Sequence, residues 1–239
     1  MPPIFIFMKI SALETTPLVS FNQYPAKAMS KFLPMFPLQM VVFPGEDLNL
    51  HIFEERYRQL IADCESDGLS FGIPAYIDGK VAALGTTVSL EKIEKRYPAG
   101  ELDIRTKASD IFQIKRFYRQ VPGKLYAGAD VEVLEMNFNE DESVNEQILE
   151  LTRDLFQILD IRKKLPETAD NFLTYHIGHH VGFSVEQEYE MLTVRNAIER
   201  QELMLVHLER VIPMAREMEN LRVRAQMNGH FKNIIPPLI

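Results

Sequence analysis

Apolar and polar positions along the chain change period several times, and each change marks an element. Leu38 to Phe43 is rich in apolar and β-branched residues and predicts a strand. Pro44-Gly45 breaks it, because proline sets its own φ and glycine supplies a positive one. Leu48, Leu50 and Ile52 then alternate with Asn49 and His51, as in a half-buried strand. From Glu54 the period becomes helical. Phe53, Tyr57, Leu60, Ile61 and Cys64 fall on one face at steps of three and four. Glu54 and Glu55 stand where the helix dipole favours negative charge, and Gly68 ends the helix after Asp67.

Strand patterns then run to residue 138. They cover Ser70 to Pro74, Gly85 to Ile93, Leu102 to Thr106, Phe112 to Tyr118 and Tyr126 to Met136. Asp78-Gly79, Tyr97-Pro98-Ala99-Gly100 and Val121-Pro122-Gly123-Lys124 carry turn chemistry between them. Short strands at this spacing with one early helix predict a small barrel-like sheet.

From 139 the period is helical again. Val144, Ile148, Leu151, Leu155 and Ile158 form one predicted face. The seven acids and one base between Glu140 and Asp160 read as a helix start and a solvated side. Pro166 closes the run. Asp170 or Asn171 can cap a short helix through Phe172, Tyr175 and His176, with Gly178 near its end. Ser184-Val185-Glu186-Gln187 is a capping box opening the next helix. A longer helix follows, with Val194, Ile198, Leu205, Leu208 and Ile212 on one side. Pro213 should kink or end it, and Met214, Met218, Leu221 and Ala225 continue a stripe to about Gly229.

The predicted class is α+β. A β-rich pseudo-barrel over 31–138 precedes an α-helical bundle over 139–229. A disordered leader (1–30) and a tail (230–239) flank them. Pro2, Pro3, Pro17 and Pro25 punctuate the leader and no period survives there; the alternative is a docking arm using Phe5, Ile6 and Phe7.

Composition narrows the function. A chain of 239 residues with 46% hydrophobic and 25% charged residues suits a soluble globular protein. A net charge of −8 disfavours broad nucleic-acid binding, which needs basic patches against phosphate. The single cysteine, Cys64, excludes an internal disulfide and fits a reducing, cytoplasmic compartment; its place on the helix face predicts a buried thiol. No apolar run approaches the ~20 residues that span a membrane, and MPPIFIFMKI has no basic residue before its apolar patch.

Three strings carry a family resemblance: Leu33-Pro34-Met35-Phe36-Pro37-Leu38, Val41-Val42-Phe43-Pro44-Gly45, and Leu48-Asn49-Leu50-His51-Ile52-Phe53-Glu54-Glu55-Arg56-Tyr57. Together they resemble the opening of the Lon N-terminal (LON) domain, the substrate-binding domain of Lon-type ATP-dependent proteases. Ser184, Gln187, Leu192, Glu199, Arg200, Leu205 and Leu208 resemble its helical part less specifically. The likeness covers about residues 32–228. Glu55 stands where the family often has proline, and either suits a first helical turn. Ala108 and Ile111-Phe112 stand where the family tends to show glycine and Arg-Phe, which makes a positive-φ bend there less favourable.

The resemblance implies a six-stranded pseudo-barrel related to PUA-type domains, then helices, in a stand-alone form without the ATPase and protease domains. It implies polypeptide recognition without catalysis, in protein quality control. The expected partners are unfolded or apolar polypeptide segments and a protease or chaperone that receives them, with no nucleic acid, membrane or cofactor. A name such as Lon peptidase would describe the family and not an activity. No Gly-x-x-x-x-Gly-Lys-Ser/Thr loop, no Gly-x-Ser-x-Gly elbow and no Lon-type proteolytic segment occurs.

Candidate sites follow. Pro37, Leu38, Phe43, Pro44, Gly45, Leu50, His51, Phe53, Glu54, Arg56 and Tyr57 read as mostly structural. Arg56 is expected to be tied to a nearby carboxylate or carbonyl, holding the helix to the sheet, and Tyr57 to lie in the core. Met214, Met218 and Leu221 are the candidate client contacts, since flexible thioethers accept varied apolar partners. Clients are expected where the two parts meet and along the exposed side of the last helix.

Two rivals stand beside this reading. His176, His179 and His180, with His207 farther on, have spacings that can bind a metal and would serve a metal-dependent hydrolase. Gly178 and Gly182 argue against a rigid ligand set, and no metal is expected. The second rival is a PUA-like RNA-binding module, against which the acidic balance speaks.

Overall fold

The computed structural model describes residues 31–229, with side chains to 226, so the expectations for the leader and tail lie outside the described residues. The protein is mixed α+β and divides into two units. The first holds residues 31–136 and 184–193, the second 137–183 and 194–229. A helix grouped with the helical block by its place in the sequence therefore lies with the sheet.

The first unit is a six-stranded sheet: β1 (Lys31–Met35), β2 (Asp47–Ile52), β3 (Phe71–Ile77), β4 (Lys80–Arg96), β5 (Leu102–Tyr118) and β6 (Ala127–Val133). Their order is β2-β5-β4-β3-β1-β6, and a further β5–β6 pairing closes the last five into a ring. One strand makes the closure possible. β5 pairs with β4 along one edge. On the other edge residues 102–107 pair with β2 and residues 112–118 with β6. The two strands expected at 102–106 and 112–118 are thus one. Ala108 sits between the two pairings and exchanges backbone hydrogen bonds with Gly45 and Glu46, so the chain needs no positive-φ bend there.

Phe112 fills the barrel with Leu33, Met35, Ile114, Ala129 and Val131. Two glycines make its room. A Cβ on Gly72 would lie 2.7 Å from the Phe112 ring, and one on Gly85 would lie 2.6 Å from Pro74 Cα. A second apolar cluster joins β2, β3 and α1 (Glu55–Asp67) through Leu50, Ile52, Tyr57, Leu60, Ile61, Cys64 and Phe71.

The run Leu38–Phe43 is not a strand. After β1, Phe36 and Leu38 follow β3 briefly through Phe36 N–H to Gly72 O and Leu38 N–H to Pro74 O, and the chain then bends. Val41, Val42 and Phe43 are buried all the same. Apolar content foretold burial but could not name a backbone partner. The strand is Lys31–Met35 instead. Pro34 argues against a fully laddered strand, and β1 meets β3 at Met35 alone. Asp78-Gly79 forms the expected hairpin turn, with both residues at positive φ. The α3 helix (Val185–Thr193) opens with the predicted capping box. Ser184 N–H donates to Gln187 Oε1, and Gln187 N–H to Ser184 Oγ. The Tyr189 hydroxyl accepts from Leu84 N–H of β4.

The second unit contains α2 (Glu142–Ile158), a 3-10 turn (Thr174–His180) and α4 (Ala197–Gly229). Asp141 caps α2, accepting from the N–H groups of Ser143 and Val144. The buried face of α2 is not the predicted one. It comprises Asn145, Ile148, Leu149, Thr152, Leu155 and Phe156, while Val144, Leu151 and Ile158 are half-buried. The face is turned about one residue because the polar Asn145 and Thr152, which an apolar pattern does not contain, are buried in it.

The buried face of α4 is offset in the same way. Val194 precedes the helix, Ile198 is exposed, and the buried stripe is Ala197, Arg200, Gln201, Met204, His207, Leu208, Ile212 and Ala215. Pro213 does not end the helix, which continues through it for 33 residues in all. The 3-10 turn starts at Thr174, after Asn171 at positive φ, later than the expected cap at Asp170 or Asn171.

Candidate functional site

A recess opens in the first unit, at one end of the barrel. The strand directions place the ends of β1, β3 and β5 and the start of β6 together there. Met35, Tyr76, Phe117 and Ala127 come from those ends, Arg56 and Tyr57 from the first turn of α1, and Pro37, Arg119 and Leu125 from connecting segments. The recess is shallow, with about 40 Å³ of accessible space. Its floor is apolar: Met35, Pro37 and Tyr57 are buried, whereas Leu125 on the rim is 47% exposed.

The family-motif residues divide around this recess. Tyr57 is core as expected. It stacks on Phe36 with ring centroids 3.9 Å apart, and burial pushes its phenol up to about 12. Arg56 pairs with a nearby carboxylate, one just before its own helix rather than in the sheet. Its Nη2 pairs with Glu54 Oε2 at 2.8 Å, two residues away, and its guanidinium covers the Tyr57 ring. A partner two residues off is within reach without any tertiary contact, so the local pair forms. Phe53 leaves the predicted helix face and stands exposed just before α1. Leu38, Phe43, Pro44 and Leu50 are buried, and Gly45 makes its turn at positive φ.

His51 Nδ1 lies 2.7 Å from Asp103 Oδ1, and the Tyr97 hydroxyl donates to Asp103 Oδ2. Burial opposes ionisation of Asp103, but these two bonds outweigh it and hold the carboxyl below its usual range. Cys64 is a buried free thiol, pushed up to about 12 by burial and by the nearby Asp63 and Asp67 charges.

In the second unit, Met214, Met218 and Leu221 are 57%, 69% and 57% exposed. Their steps of four and three place them on one side of α4. Met35, Met191 and Met204 are fully buried, so methionine serves both as filler and as surface. The histidines are dispersed into structural roles. His176 Nδ1 accepts from Leu173 N–H, His180 pairs with Lys163, and His207 Nε2 donates to Val181 O at 2.9 Å. Among the described residues no group of three or more His, Cys, Asp or Glu is placed to hold a metal.

Sequence reasoning missed the remaining walls of the recess, Tyr76, Phe117, Arg119 and Leu125, because only strand register brings them together. It also missed the partner of Arg200. This guanidinium is fully buried, 3.4 Å from Glu140 Oε1, donates to Asn137 O at 2.6 Å and lies 4.9 Å from the Tyr175 ring centroid.

The protein is thus a closed sheet with two helices in one unit and a helical second unit. The profile of the ATP-dependent protease La (LON) substrate-binding domain matches residues 32–210, and the chain belongs to that family. Two solved structures are similar. A Lon N-terminal domain protein from Xanthomonas campestris is 26% identical, with a TM-score of 0.57 over 74% of this chain and 98% of that one. The N-terminal domain of a Mycobacterium avium complex Lon protease is 14% identical, with a TM-score of 0.55 over 75% of this chain and 98% of that one, a likeness of fold. No curated protein matches. No helix among the described residues is long and apolar enough to cross a membrane.

Proposed function

We propose that this protein binds unfolded or apolar polypeptide segments without cleaving them and passes them to a protease or chaperone in cytoplasmic quality control. The observation that carries the reading is the exposed stripe Met214, Met218 and Leu221 on α4. Three large apolar side chains on one exposed helix side gain by being covered, and unbranched thioethers adapt to varied partners. A flexible client loses conformational freedom when it binds, so affinity is modest, about micromolar or roughly −8 kcal/mol.

The test is fluorescence anisotropy with a labelled, unfolded apolar peptide, run beside circular dichroism melts. Changing Met214, Met218 and Leu221 together to Ser should weaken binding and leave the melt intact. Unchanged binding in the folded triple variant would remove α4 from the site. The purified chain should hydrolyse neither ATP nor casein. Turnover that a point mutation in this chain abolishes would make it an enzyme.

A further inference from the structure

We infer that the α4 stripe, when no client is bound, pairs with the same stripe of a second copy of this chain in an antiparallel two-helix seam. The inference rests on the reading that the stripe is a docking face, and it names what occupies that face at rest.

The stripe is the uncovered half of a longer line. Ala197, Arg200, Met204 and His207 begin a seam at steps of three and four, and after Val211 the residues Met214, Met218, Leu221 and Ala225 continue it in the same register. The protein covers the first half itself. All four of those residues are buried, with the Tyr175 ring against Arg200 and Phe183 and Val181 O against His207. Past Ala215 the cover stops. From Arg216 to Gln226 every residue except Glu219 is exposed. A helical stretch that stands clear of its unit gains most from packing its apolar side, because propensity alone holds so short a helix only marginally.

Charge selects the occupant and its direction. In an antiparallel pair Met214 of each copy layers on Ala225 of the other, and Met218 on Leu221. The same register sets Glu217 of each copy beside Arg224 of the other. Both residues are exposed, and neither has a hydrogen bond or ion pair among the described residues. Opposite charges flanking a seam fix partner and orientation. A parallel pair would set Glu217 against Arg222 instead, which Glu219 already holds at 2.8 Å. It would also lay the second helix along the seam at Arg200 and His207, where Tyr175 and Phe183 already sit. The antiparallel pair avoids both conflicts, since the paired residues all lie beyond His207. So short a seam is weak, with a dissociation constant of about 50 µM, and at low micromolar concentration the chain is monomeric.

Sedimentation equilibrium of the full chain from about 1 to 500 µM tests this, with a monomer expected at the low end and a dimer at the high end. Glu217→Arg and Arg224→Glu should each weaken pairing about tenfold or more, because like charges then meet across the seam. An equimolar mixture of the two variants should pair as the parent does, and so should the double variant Glu217→Arg, Arg224→Glu. Saturating unfolded apolar peptide should return the parent to monomer. A monomer at every concentration overturns the inference and leaves the stripe to client or to residues 1–30 or 230–239 of the same chain. A dimer that ignores both charge reversals overturns it, as does one that neither the mixture nor the double variant restores, or one that persists with peptide bound. If client binds through α4 while the chain stays monomeric, the pairing alone falls. If the dimer answers the charge variants as expected and no unfolded client binds, the client reading alone falls.

Discussion

In the sheet unit the buried polar side chains are Thr86, Thr87 and Thr106; in the helical unit they are Asn145, Thr152, Thr174, Arg200, Gln201 and His207. The threonines fit a strand as β-branched residues, and two of them donate one bond each to the backbone of another segment, Thr86 to Val42 O and Thr106 to Leu48 O. The barrel is then specified by volume: Phe112 occupies space that Gly72 and Gly85 leave open. The helices are specified by partners. Gln201 Nε2 donates to Asp141 O and Asn145 Oδ1, and its Oε1 accepts from Asp141 N–H, so α4 is keyed to the start of α2. Glu140 accepts from Thr174 N–H and Oγ1 as well as from Arg200. An apolar face tolerates a slip of one residue, and a network of this kind does not.

The contrast can be broken most forcefully at Arg200. Arg200→Ala leaves the Glu140 carboxylate buried without its cation, and the expected cost is about 3–5 kcal/mol in urea unfolding followed by circular dichroism. Replacing Arg200 and Glu140 together by Met and Leu should cost much less. A loss below about 1 kcal/mol in Arg200→Ala would show that the pair does not hold the helices.

The corresponding break in the barrel is Gly85→Ala. The added methyl meets Pro74 backbone and the Phe112 ring, so about 1–3 kcal/mol should be lost. The double variant Gly85→Ala, Phe112→Leu should recover part of it, since the ring supplies one of three clashes, the others being Pro74 Cα and Ile73 O. Absence of any recovery would place the strain on the Ile73–Pro74 backbone alone.

His207 sharpens the comparison through pH. Burial lowers its pKa below the ordinary 6.5, against the hydrogen bond to Val181 O, and Arg210 adds to the lowering. The folded state holds it neutral while the unfolded state takes up a proton. Its contribution is therefore fully present above about 6.5 and is lost as pH falls through the folded value. Melting temperature should drop between pH 7.5 and 5 by more in the parent than in His207→Gln. Parallel pH profiles would remove His207 from the balance.

The smallest expected effect is at the α4 stripe. Changing Met214, Met218 and Leu221 to Ser removes exposed surface only, so each should shift stability by no more than about 0.5 kcal/mol. A larger loss would mean that these side chains pack against the protein itself.

What the sequence determined on its own was local. The alternation Leu48, Leu50, Ile52, the α1 face Tyr57, Leu60, Ile61 and Cys64, the Gly68 end, the Asp78-Gly79 turn and the Ser184–Gln187 box all depend on neighbours within a few residues. The three opening strings, being local too, were enough for the family. Tertiary structure decided the rest. Whether 102–106 and 112–118 are one strand depends on β2 and β6 sharing an edge of β5. Whether Arg200 and Gln201 face inward depends on Glu140, Asp141 and Asn145, some sixty residues earlier, since a polar side chain is buried only where distant groups satisfy it. The recess walls are likewise set by register, a relation between strands that no single stretch of sequence contains.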